Sequence, residues 1–81
     1  MTYGIVFEKI EEPGFEGYYY AHIPTLGLTT HGLGIEGARL MAEDLVNLWI
    51  EELEASGEPV PHPQEMLLST LETHRHAVHL A

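Results

Sequence analysis

Six histidines and thirteen carboxylates are the side chains through which this sequence could do chemistry. His74, His76 and His79 lie close together, and on an extended chain His74 and His76 point to one face. Imidazoles at alternate strand positions can ligate zinc or nickel. Tetrahedral zinc wants further ligands, however, and the chain has no cysteine to supply one. The plainer expectation is exposed histidines on a polar strand edge, with His74 and His76 as weak metal candidates and no resident cofactor. Histidine also titrates near neutrality, which suits a pH-sensitive contact.

A magnesium site needs several converging carboxylates. Glu8 and Glu16 are placed to lie across a hairpin, with Glu11, Glu12, Glu43 and Asp44 nearby in sequence, but no third acid is clearly positioned with the first two. There is no GxSxG, Walker loop or HExxH. The expectation is a protein that is not an enzyme.

The elements that must carry these residues are organised by Ile35 to Ser56. Ile35, Ala38, Met41, Ala42, Leu45, Val46, Leu48, Trp49 and Leu53 recur in three- and four-residue steps and draw one wide apolar stripe. Gly34 caps the start, and Gly57 followed by Pro59 stops the far end. Such a helix spans roughly 33 Å. It needs a sheet to lie on.

Thr2 to Glu11 reads as a first strand, with Tyr3, Ile5 and Phe7 alternating against Gly4, Val6 and Glu8. Pro13-Gly14 turns the chain, and Phe15 to Ile23 returns as a second strand through Tyr18-Tyr19-Tyr20. Tyr18 and Tyr20 share one face of it, opposite Tyr19. Leu28 to His31 is a short third strand after the Pro24–Gly27 break. Beyond the helix, prolines 59, 61 and 63 predict an extended run, Gln64 to Leu71 a short helix, and Thr73 to Ala81 a fourth strand. The fold class is therefore α+β: a two-layer, single domain over 1–81, with an antiparallel β-β-β-α-β arrangement and one long helix at about 35–56.

Composition narrows the partners. Three basic residues stand against the thirteen acids, for a formal net charge of −10. Phosphate backbones repel such a chain, so direct nucleic-acid binding is not expected, whereas a basic protein face is attracted. No apolar run reaches membrane-spanning length, and no signal-peptide pattern opens the chain. A cytoplasmic location is expected. A domain this small buries only about 60–65% of its unfolded surface, so a homo-oligomer, dimer or tetramer, would add stability.

The order of these pieces resembles the HicB-like antitoxin family. Tyr3–Glu8 is similar to the family's opening strand, and Gly17-Tyr18-Tyr19-Tyr20-Ala21-His22-Ile23-Pro24 to its second. Thr29-Thr30-His31-Gly32 resembles its third strand. Glu36, Ala38, Ala42, Leu45 and Trp49 lead into Gly57-Glu58-Pro59-Val60-Pro61, which looks like the family's helix and exit.

The resemblance implies a partial ribonuclease-H-like fold and a partner: a small basic HicA-type toxin that cleaves messenger RNA and is neutralised by occlusion. Family antitoxins usually add a DNA-binding domain. None follows the core in this sequence, so a short, core-only member is expected, without operator binding. Thr25-Leu26-Gly27-Leu28 also departs from the family's turn.

Tyr18 and Tyr20, as aromatic anchors, and Glu43, Asp44, Glu51 and Glu52, as an acidic patch, are the expected partner-binding residues. The plainer reading makes the acids a solvated face, Trp49 a core or subunit-contact residue, and the protein a stand-alone homo-oligomeric module with no toxin.

Overall fold

A computed structural model describes residues 1–74 of the chain. Three antiparallel strands, β1 (Val6–Lys9), β2 (Tyr18–Ile23) and β3 (Leu28–Leu33), form a sheet of order β1-β2-β3. A single long helix, α1 (Gly34–Ala55), lies across it. The arrangement is α+β, as expected. The helix is within a residue of its sequence-based limits, whereas β1 is shorter at both ends, β2 starts three residues later and β3 runs two residues further.

The turns explain why the strands end where they do. Between β1 and β2, Gly14 and Gly17 take φ of 90° and 82°, and Phe15 N–H donates to the Glu12 carbonyl at 3.2 Å. Positive φ of this kind is open to glycine without a Cβ penalty. Between β2 and β3, Pro24–Leu26 makes one turn of 3₁₀ helix, closed by Gly27 N–H on the Pro24 carbonyl at 3.1 Å.

The helix ends in a Schellman motif. Glu58 N–H donates to the Leu53 carbonyl at 2.9 Å, and Gly57 N–H to the Glu54 carbonyl at 3.1 Å.

The sheet register sorts the side chains. Phe7 opposes Ala21 and Ala21 opposes Thr30, while Lys9, Tyr19 and Gly32 align one pair further along. This face carries the core: Ala21, Ile23, Leu26, Ala38 and Ala42 are buried, with Phe7, Tyr19, Leu28, Val46 and Trp49 packed around them. Three of the buried residues, Ala21, Ala38 and Ala42, are small because helix and sheet approach closely. A Cβ on Gly32 would stand 2.5 Å from the Gly37 carbonyl carbon and 2.6 Å from the Ala38 nitrogen. The helix backbone rests directly on β3 at that point. No bulkier residue fits.

Three expectations change. Gln64–Leu71 is not helical: the backbone there is irregular, and Leu67, Leu68 and Leu71 are 90%, 85% and 96% exposed. A helix of that length needs a surface to pack on, and these leucines meet none among the described residues. Met66, itself 44% exposed, lies against Gly4, beside a 2.7 Å hydrogen bond from the Tyr3 hydroxyl to the Pro61 carbonyl.

The apolar stripe of α1 is also narrower than its sequence suggests. Met41 and Leu48 are 47% and 56% exposed, because a three-stranded sheet covers only part of so wide a stripe. Finally, His74 is exposed in a bend and Thr73 is in no strand. The rest of the expected fourth strand, including His76 and His79, lies outside the described residues.

Candidate protein-binding site

The face of the sheet away from α1 is assembled by the alternate residues Tyr18, Tyr20 and His22 of β2. β1 adds Val6 and Glu8, and β3 adds Thr29, His31 and Leu33. Phe15 in the hairpin turn stacks edge-on to Tyr18 at 5.9 Å between ring centroids and to His31 at 6.2 Å. Tyr20 lies against His22 at 5.8 Å. Tyr18 and Tyr20 share one face with Tyr19 opposite, as the alternation predicts, and the structure turns Tyr19 toward the core.

His22 ties the three strands together. Its Nε2 lies 2.9 Å from Glu8 Oε1, and its Nδ1 lies 3.0 Å from Thr29 Oγ1. With Nε2–H donating to the carboxylate, the Nδ1 of neutral imidazole accepts from the Thr29 hydroxyl. A hydroxyl, an imidazole and a carboxylate in this order have the connectivity of a nucleophile triad. Here they lie on an open pleated face, and the His22 side chain is 33% exposed. The arrangement fixes side chains on the sheet surface; it does not enclose a substrate. Glu8 therefore partners an imidazole and does not join Glu16 in a carboxylate pair.

Glu16 turns back on its own loop instead. Its own backbone N–H and that of Gly14, 3.3 Å from Oε1, hold the carboxyl below its ordinary value.

The acids of α1 occupy the other layer. Glu43, Asp44, Glu51 and Glu52 are all exposed on the helix, as are Glu36 and Glu54. They surround Leu40 and Leu48, which are 60% and 56% exposed. Glu43 also lines a cleft of about 340 Å³ between α1 and the N-terminal residues Met1, Tyr3 and Ile5. Arg39 crosses the neighbouring part of that flank with its guanidinium 5.3 Å above the Phe7 ring.

The six expected partner residues are thus not one patch. Tyr18 and Tyr20 lie on one side of the sheet, and the four acids lie on the helix covering the opposite side. Sequence reading missed the joining of Glu8, His22 and Thr29, although the same alternation that pairs Tyr18 with Tyr20 extends to His22. It also missed Leu40 as a solvent-facing apolar residue among the acids.

Among the described residues no group of three or more His, Asp or Glu is arranged to hold a metal ion. His74 stands exposed, with His76 outside the described residues. No helix among the described residues is long and apolar enough to cross a membrane. Compared with family models, curated proteins and solved structures, the chain matches none of them.

Proposed function

We propose that the chain is a HicB-type antitoxin that binds a small basic ribonuclease in the cytoplasm and blocks its RNA-binding surface. The carrying observation is the solvent face of α1, where Glu43, Asp44, Glu51 and Glu52 border exposed Leu40 and Leu48. Carboxylates around an apolar centre suit a basic protein: charge speeds and orients the encounter, and burial of the leucines holds it. The net charge of −10 extends that attraction beyond contact range. In this reading the chain does no chemistry of its own, it forms a homo-oligomer, and its sheet belongs to the family's partial ribonuclease-H-like fold.

The second reading is a stand-alone homo-oligomeric module with no toxin. The aromatic outer face of the sheet favours it, because that face suits self-contact without any basic partner.

A tagged pull-down from native lysate at low and high salt separates the two. The antitoxin reading expects a small basic protein, released by salt, whose RNA cleavage is suppressed when the chain is added back. Recovery of the chain alone in both conditions favours the second reading.

A further inference from the structure

We infer that β3 is a self-pairing edge: two copies join antiparallel through Leu28–Leu33 to make one continuous six-stranded sheet. The proposal specifies the contact behind the homo-oligomer of the reading above and does not require the toxin.

The backbone supplies the first argument. Gly34 N–H donates to the Gly17 carbonyl at 2.8 Å. Hydrogen-bonded and non-hydrogen-bonded pairs alternate along an antiparallel ladder. In the register Tyr18–Leu33 to Ile23–Leu28, the peptide groups of Gly32, Thr30 and Leu28 therefore face β2. Those of Thr29, His31 and Leu33 face outward, and among the described residues no strand pairs with them. Natural sheets blunt such an edge with lysine, proline, a bulge or a cover. This six-residue edge has neither lysine nor proline, and its register to β2 is unbroken.

Charge supplies the second argument. From Tyr18 to Leu33 there is no Asp, Glu, Lys or Arg, although the chain as a whole carries −10. Two such chains repel, and repulsion is weakest where β2 and β3 meet solvent. The opposite edge of the sheet carries Glu8 and Lys9.

Exposed apolar surface supplies the third. Arg39 and Val46 face β1 and the N-terminal cleft. Met41 follows Arg39 by two residues, roughly 200° round the helix. It consequently looks toward the β3 side, where Leu33 is 63% exposed and Met41 itself 47% exposed. Edge pairing about a two-fold axis sets the two copies of α1 side by side on one face of the joined sheet and covers this flank.

All three outward-facing residues are used when the axis passes through His31, which then opposes its own copy, while Thr29 opposes Leu33 of the second copy. This register defines the test. Light scattering on the purified chain alone is expected to give twice the monomer mass at low and high salt. His31→Pro removes the central outward N–H without touching the bonds to β2, and His31→Glu sets two carboxylates face to face across the axis. Each is expected to halve the mass while the far-ultraviolet circular dichroism is kept.

Hydrogen exchange needs no variant. The amides of Thr29, His31 and Leu33 are expected to be protected at high concentration and to lose that protection on dilution. A wild-type chain that remains monomeric overturns the proposal. So does an oligomer unchanged by both variants, or fast exchange of these three amides at every concentration.

Discussion

Two adjoining stretches of this chain meet solvent in opposite ways. Tyr18–Leu33 has no Asp, Glu, Lys or Arg, while α1 directly after it carries Glu36, Glu43, Asp44, Glu51, Glu52 and Glu54 against the single Arg39. Both leave apolar side chains exposed. The difference lies in what each can touch. A neutral, aromatic face with an open strand edge suits another copy of the same acidic chain, whereas a helix whose leucines sit among carboxylates suits a basic protein. On the proposals above, the stretch without formal charge takes the self-contact and the acid-bearing solvent face of α1 takes the basic partner.

The most damaging way to break this arrangement is to part the two layers. Gly32→Ala drives a Cβ into the backbone of Gly37 and Ala38, and thermal unfolding is expected to show a loss of about 3 kcal/mol. Gly37→Ala sharpens the point. Its Cβ meets only ordinary contacts, at 3.6 Å and 3.8 Å, and the better helix residue is expected to raise stability by up to about 1 kcal/mol. A comparable loss in both variants would contradict the close approach at Gly32.

Neutralising α1 tests the other surface. The combined change of Glu43, Asp44, Glu51 and Glu52 to their amides is expected to weaken capture of a basic partner by tenfold or more, equivalent to about 1.4 kcal/mol. The mass of the chain alone should not change. If the four amides dissociate the homo-oligomer instead, the two surfaces are not separate.

On the sheet the effects are smaller. Glu8→Gln weakens the contact with His22, but the two side chains are 63% and 33% exposed, so denaturant unfolding is expected to shift by less than ~1 kcal/mol. Smaller again is the effect of Glu16. Its folded-state pKa is lowered, so its contribution is present above the unfolded value and is lost as pH falls through the folded one. A carboxyl titration followed by NMR should place Glu16 below the ordinary glutamate range; a Glu16 that titrates within that range would show that the two backbone N–H groups do not hold it in solution.

Much of this was legible in the residues. The three- and four-residue apolar steps and the Gly57–Pro59 stop located α1, and strict alternation placed Tyr18 and Tyr20 on one face with Tyr19 on the other, without telling which face meets the helix. The close contact at Gly32 was not legible, because it depends on how near two backbones come, which no local pattern records. Met41 and Leu48 read as core because periodicity gives the direction of a face and says nothing about the width of the sheet beneath it. Gln64–Leu71 read as a helix from composition, yet a helix so short depends on a packing surface elsewhere in the chain. Linear order also does not show that a whole sheet stands between the tyrosines and the helix acids, so their separation onto two surfaces was not legible.

The central claim is that charge divides self-contact from partner contact. It is tested most directly by light scattering on the purified wild-type chain across a salt series, beside the four-amide variant. The account predicts a dimer that persists as salt is added, with the same mass in the two proteins. A mass that falls as salt is added, or that changes when Glu43, Asp44, Glu51 and Glu52 are neutralised, would place the acids inside the self-contact and contradict it.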